Sequence, residues 1–417
     1  MADSPYRRGH RDRGRLWALR ALVRRSGWGA LGALDRLLPK KARRVVLGSD
    51  KGRKYSGNPR HLFEHLVDKP GWDVWWLTES PEILREVNAR YPGRALHAWS
   101  TRAVLTGLTA RWLGFSHSKY DLGPFGYLMR PRFIYLNHGT PLKTMGYEKA
   151  YRDPSVGHAA GSFGAITCCS DFEATLWSKA YRLPLERIWV TGVPRNDRLF
   201  TGDRSVLDRL GVPRGRKVVL YAPTYRETGQ LAEYLPAPGL DGRALVESLE
   251  RHDAVMLVRP HYYEWRAAAD TVARLGSDRF VTADERQVPD INELLPAVDL
   301  LVTDYSSIYF DYLLLDRPLI FSCHDREAYQ RERGFMIDYD ANTPGDKVVN
   351  GAEFLAALDR VLRGDDPHRS FRREVRRRFH RFTDGGSAER IAARIDRKSG
   401  SAGMPRPRNI SRMPSSA

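Results

Sequence analysis

Leu300-Leu301-Val302-Thr303-Asp304-Tyr305-Ser306-Ser307-Ile308-Tyr309-Phe310-Asp311 starts as a short apolar run, halts at an acid, and continues behind two hydroxyls into a second apolar pattern. The run Leu300–Thr303 reads as a strand, and Ser307–Leu315 as the helix that follows it. Free N–H groups at a helix start, with Ser306 and Ser307 beside them, suit an anion such as a diphosphate. Plain N-capping by the same hydroxyls is the alternative, and the two uses can coexist. The same figure of strand, turn and helix recurs along the chain. Candidate strands are Arg44–Leu47, Asp73–Leu77, Arg132–Leu136, Ala165–Cys168 and Ile188–Thr191, then Lys217–Tyr221, Ala254–Val258, Phe280–Thr282 and Leu319–Phe321. Helical patterns cover Pro59–Val67, Asp171–Ala180 and Gly242–Arg251. Strands alternating with helices imply parallel sheets covered on both faces.

Two such series imply two domains. The segment Leu199–Arg216, polar and carrying Gly202, Gly211, Pro213 and Gly215, reads as the seam between them. The expected division is an arm at 1–45, α/β domains at 46–205 and 206–398, and a disordered tail at 399–417. The 417-residue length agrees, because a single core stops growing at about 250–300 residues. The fold class is therefore α/β, with two Rossmann-like domains facing across a cleft. Ligands in such sheets sit at the carboxyl ends of the strands.

Composition bounds the rest. With 42% hydrophobic and 28% charged residues the chain is neither disordered nor fibrous. Its three cysteines, two of them adjacent at Cys168 and Cys169, offer no disulfide framework, which points to a reducing compartment. No apolar stretch approaches the roughly 18–20 residues of a spanning helix. No apolar core of a secretory signal follows the basic N-terminus. The net charge is +18, and residues 1–45 hold 13 Lys/Arg against three Asp. Within that arm Leu16, Trp17, Leu19, Leu22, Val23, Trp28, Leu31, Leu34 and Leu38 recur at helical spacings. A basic amphipathic helix of this kind suits an anionic membrane surface. A helix packed on the body with a solvated basic face is the alternative. Nucleic-acid binding is not expected, since no recognisable module accompanies the charge.

Four further constellations stand at strand ends. His138-Gly139-Thr140-Pro141-Leu142-Lys143 follows Tyr135-Leu136-Asn137. A histidine there can present its imidazole to a cleft as a general base, or be a structural group bonded to a loop carbonyl. Gly192-Val193-Pro194-Arg195-Asn196-Asp197 offers one cation and two polar groups, or a plain boundary turn. In Tyr221-Ala222-Pro223-Thr224-Tyr225-Arg226, Thr224 and Arg226 could contact phosphate, or the stretch is a plain capped turn. Arg259-Pro260-His261 brings a second histidine. Two histidines on opposite domains would let one act as base while the other meets a phosphate. There is no P-loop, no dinucleotide fingerprint and no serine-nucleophile elbow. The acidic triplet Asp338-Tyr339-Asp340 reads as a loop, and no metal site is expected.

Taken in order, these motifs resemble the CDP-glycerol glycerophosphotransferase family of bacterial teichoic acid and capsular polymer synthesis. Asp316-Arg317-Pro318, Arg333-Gly334-Phe335 and Phe382–Arg390 extend the resemblance, which covers roughly Arg132–Ile395. It implies a GT-B type fold with the nucleotide donor on the C-terminal domain and the acceptor on the N-terminal one. It also implies attack by an acceptor hydroxyl on the β-phosphorus of CDP-glycerol, releasing CMP. His138 maps to the family base and His261 to the histidine near the donor phosphates. Arg195, Asn196, Asp197, Thr224, Arg226, Arg259, Ser306 and Ser307 are the expected donor contacts, with Asp304 and Asp311 shaping that pocket. The acceptor is expected to be lipid-linked or polymeric, and the site peripheral to the cytoplasmic face of the membrane. No cofactor is required, although Mg²⁺ could assist the diphosphate. Ribitol or another polyol phosphate, or a nucleotide-sugar used by the same architecture, are the rival donors. A non-catalytic polyanion-binding protein is the rival of another class.

Overall fold

A computed structural model of the chain describes residues 31–128, 132–148, 161–224, 234–260 and 264–398. Seven strands form the first sheet: β1 (Lys41–Leu47), β2 (Asp73–Thr78), β3 (Ala95–His97), β4 (Ala110–Phe115), β5 (Phe133–Tyr135), β6 (Phe163–Cys168) and β7 (Ile188–Val190). They are all parallel, in the order β3-β2-β1-β4-β5-β6-β7. The second sheet holds β8 (Lys217–Tyr221), β9 (Ala254–Val258), β10 (Phe280–Thr282), β11 (Leu300–Thr303), β12 (Leu319–Ser322) and β13 (Asp346–Val348). It too is parallel, in the order β10-β9-β8-β11-β12-β13.

Each sheet is dry on both faces, as parallel sheets must be. Along β8, Val218 and Leu220 join one apolar cluster while Val219 and Tyr221 join the other. Along β1, Val46 faces one cluster, and Val45 and Leu47 the opposite one. In both sheets the strand order reverses once, between β1 and β4 and between β8 and β11. Those two switch points open crevices at the carboxyl ends of the strands, where ligands bind in this class of sheet.

Three parts of the fold differ from the sequence reading. Strands β3, β4 and β13 were not expected. The helix Thr101–Thr109 runs straight into β4 at Ala110 with no Gly or Pro between them, so helix and strand merge into one apolar stretch. The arm at 1–45 gives up its last residues to β1. Residues 31–37 are helical, with Leu31 in the first domain's core and buried Asp35 bonded to Lys40 and Arg132. Residues 1–30 and the tail at 399–417 lie outside the described residues. Finally, the helix Ser387–Lys398, placed by sequence in the second domain, packs on the first sheet. Its Ala388, Ile391, Ala392 and Ile395 join Val45, Leu62, Trp112 and Trp189 in one core. The chain thus returns to the first domain, and the two bodies share a covalent and an apolar seam.

Candidate active site

The first half of the site is a locked turn. Past β5, Asn137 adopts a left-handed backbone (φ 53°), a conformation asparagine tolerates because its amide bonds locally. Its side chain donates to the Thr167 carbonyl at 2.8 Å and accepts the Gly139 N–H at 2.9 Å. From the helix Gly57–Leu66, buried Asn58 donates to the Leu136 and Asn137 carbonyls, each at 2.9 Å. The turn has no freedom left, and it presents His138 to the cleft.

The His138 ring lies 3.0 Å from the Ser116 carbonyl through Nδ1. A carbonyl only accepts, so Nδ1 carries the hydrogen and Nε2 keeps the lone pair. His138 is exposed where it lines the cleft, although many protein atoms crowd around its ring. That enclosure, with the neighbouring His117 ring second, lowers the His138 pKa to about 4. His138 is therefore neutral at physiological pH, with an acceptor nitrogen available to the cleft.

The second half comes from β8 and β11. Asp304, at the end of β11, accepts the Thr224 N–H through both oxygens at 2.9 and 3.0 Å and the Tyr305 N–H at 2.5 Å. Its carboxylate ties the two switch-point loops together. Ser306 Oγ accepts the Ile308 N–H at 3.4 Å, whereas Ser307 makes no cap bond. The following helix reaches Leu315 as expected, but only Ile308–Tyr312 is α-helical and Leu313–Leu315 is a 3₁₀ turn. The loop therefore offers hydroxyls and local N–H groups more than a helix dipole. Ser307 Oγ rests against Gly139, whose φ of 157° and lack of a Cβ permit the approach. A cavity of about 900 Å³ opens between the halves, lined by His138, Lys143, Thr224, Ser306, Ser307 and Arg333 among others. One side is zipped shut: Lys143 bridges Phe335, Met336 N–H donates to the Leu142 carbonyl at 2.9 Å, and Thr144 N–H to Gly334 at 3.2 Å.

Several expected donor contacts hold the protein itself. Arg195 pairs with Asp311 at 2.6 Å and donates to the His138 carbonyl at 2.7 Å. Asn196 donates to Asp311 at 3.0 Å and accepts from Asn292 at 3.2 Å. Asp197 accepts the Ser387 and Ala388 N–H groups, both at 2.8 Å, and so caps the returning helix. Arg259 is buried, its guanidinium bonded to the Ala283 and Val288 carbonyls at 2.8 and 2.6 Å. The structure brings His138, Thr224, Ser306 and Ser307 to one cavity. Arg195, Asn196, Asp311 and Asp197 form the interdomain joint behind it. Arg226 and His261 lie outside the described residues. Among the described residues no cluster of three His, Cys, Asp or Glu could hold a metal, and Asp340 of the acidic triplet pairs with Arg326 at 2.7 Å.

Two groups escaped the sequence reading. His117 stands at the end of β4, whose merger with the preceding helix hid it. Buried Glu173 accepts the Cys169 N–H at 2.7 Å and the Trp177 indole N–H at 3.0 Å. Its visible signal was Ser170-Asp171-Phe172-Glu173, a hydroxyl followed three residues later by an acid, at the start of the helix Asp171–Tyr181.

Two parallel-sheet Rossmann-like domains around such a cleft define a GT-B type fold. The family of CDP-Glycerol:Poly(glycerophosphate) glycerophosphotransferases matches residues 31–397, and the chain belongs to it. The teichoic acid glycerol-phosphate transferase of Staphylococcus aureus (strain NCTC 8325 / PS 47) is 28% identical over 381 residues, covering 84% of this chain and 92% of that protein. The teichoic acid poly(glycerol phosphate) polymerase of Bacillus subtilis (strain 168) is 26% identical over 79% of this chain, which spans 45% of that longer protein. Among solved structures, the wall teichoic acid polymerase TagF superposes with a TM-score of 0.74 at 23% identity, covering 92% of this chain and 96% of that one. The expected family, fold class and enzyme class thus stand.

Proposed function

We propose that the chain transfers glycerol phosphate from CDP-glycerol to a hydroxyl of a lipid-linked or polymeric acceptor, with His138 as the base. The observation that carries this reading is the contact of His138 Nδ1 with the Ser116 carbonyl, in a residue that lines one cavity with Thr224, Ser306 and Ser307: it leaves Nε2 as the free acceptor nitrogen. Nε2 takes the proton of the acceptor hydroxyl as its oxygen bonds the β-phosphorus. The bond from that phosphorus to the bridging oxygen breaks, CMP departs with the electron pair, and His138 returns its proton to solvent. Phosphoryl transfer depends on positioning and charge stabilisation, so the hydroxyls and N–H groups of the 304–307 loop and Thr224 would hold the diphosphate. The reading needs no resident metal; Mg²⁺ arriving with the donor is the alternative, and turnover in excess EDTA separates the two.

The acceptor side supports a surface-bound enzyme. Among the described residues no helix is long and apolar enough to cross a membrane. The basic arm would bring the protein to an anionic leaflet at the cytoplasmic face, at about 1 kcal/mol per basic residue near the surface. Deleting residues 1–30 should then abolish sedimentation with anionic vesicles and leave turnover on a short soluble acceptor nearly intact. The donor is tested by incubating pure protein and acceptor with CDP-glycerol, CDP-ribitol or a UDP-sugar and following nucleotide release. CMP from CDP-glycerol supports the reading; release only from CDP-ribitol or the sugar nucleotide transfers it to a rival donor.

A further inference from the structure

We propose that His117 is a positioning residue for the transfer: its imidazole, stacked on that of His138, fixes the plane of the base and keeps it an empty proton acceptor. The inference rests on the reading of His138 as base, and it adds a second histidine that no motif contains.

The geometry begins at the first switch point. His117 follows β4, and His138 follows the neighbouring β5, so parallel pairing of the two strands brings their ends together. The rings stack with centroids 4.6 Å apart and planes 10° from parallel. Ser116 serves both partners. Its carbonyl accepts from His138 Nδ1, and its hydroxyl lies 2.8 Å from His117 Nδ1 and 3.0 Å from Ser49 Oγ. Fully buried Asp121 then clamps the backbone beneath them. It accepts the N–H groups of Lys51 at 2.9 Å, His117 at 3.0 Å and Ser116 at 3.3 Å. The carbonyl that sets the His138 tautomer and the ring that covers its face are thereby one rigid unit.

The nearest charges to the pair are themselves paired. Toward His117 lie Asp50, Lys54, Arg195 and Glu285; toward His138 lie His117, Arg195, Asp121 and the Tyr135 hydroxyl. Lys54 is matched by Glu285 at 2.9 Å and Asp50 at 3.4 Å, and Arg195 by Asp311. What remains is exclusion of water and the second imidazole. Two stacked imidazolium ions repel, so a positive charge on one ring disfavours a second on the other. Both rings are pushed below the ordinary histidine value by burial, His138 further by its neighbour.

The test uses the full chain with labelled histidine, following the His138 ring by NMR titration in wild type, His117→Ala and His117→Phe. His138→Ala identifies its resonance. Opening the stack should raise the His138 midpoint by about one pH unit or more in His117→Ala. His117→Phe keeps a ring that excludes water, and should recover part of the shift. The acid limb of kcat/KM for CDP-glycerol should move upward in step, with the donor KM little changed. A His138 midpoint unmoved in either folded variant overturns the inference. A midpoint that moves while the activity limb stays fixed supports the stacking role and instead removes His138 as the base.

Discussion

Glu173 shows how a single buried carboxyl shapes the behaviour of the site. Burial raises its pKa to about 7, against the opposing pull of its bonds to Cys169, Trp177 and Thr140, with Asp311 adding to the rise. Between about pH 4.5 and 7 the unfolded chain has lost this proton while the folded one keeps it. The folded state binds more protons there, so this group's contribution to stability falls as pH rises across that window. At about 1.4 kcal/mol per unit, the loss approaches roughly 3 kcal/mol. Glu173→Gln, which cannot ionise, should therefore gain on wild type by that order between pH 5 and pH 8 in denaturant titrations. Parallel curves for the two proteins would refute the buried-acid description. Such pairings are what sequence hides. His138 could be singled out because a histidine and a glycine follow a strand. The partners of Arg195, Asn196 and Asp197 are 116, 115 and 190 residues away, and no local pattern points to them.

At the level of elements, the strands that could be read were those bounded by turn residues. Lys217–Tyr221, Ala254–Val258, Phe280–Thr282 and Leu300–Thr303 keep their expected limits. β4 could not be read, because helix and strand share one apolar run, and with it went His117. The loop after β5 carries a sharper prediction. A Cβ on Gly139 would overlap Ser307 Oγ across the cleft, so Gly139→Ala must push the two switch-point loops apart or turn the serine aside. Turnover should fall at least tenfold while thermal stability changes little, since the strain falls on a site that opens to solvent. Ser307→Ala, which removes the obstructing hydroxyl, should restore part of the loss in the double variant. Additive losses in Gly139→Ala/Ser307→Ala would show that the contact is not the cause.

Across the whole molecule, the domains are joined by buried polar pairs. Gly57 N–H donates to Asp290 at 3.1 Å, and His61 contacts the same carboxylate at 3.0 Å. Burial alone would push the Asp290 carboxyl up, yet the His61 contact and the N–H groups hold it well below the usual carboxylate range. Arg195–Asp311 is the member of this joint nearest the base. Removing one partner of a buried pair strands the other, typically at about 3–5 kcal/mol. Arg195→Ala should thus destabilise the fold by that order, and lower turnover by misplacing the His138 carbonyl. If instead it weakened CDP-glycerol binding at unchanged stability, Arg195 would be a donor contact and not a joint. The central claim is that His138 takes the acceptor proton, and the kcat of His138→Ala with CDP-glycerol tests it most directly. Turnover should drop roughly 10²–10⁴-fold, with the Kd for CDP-glycerol changed far less. Turnover within a few-fold of wild type would contradict the account.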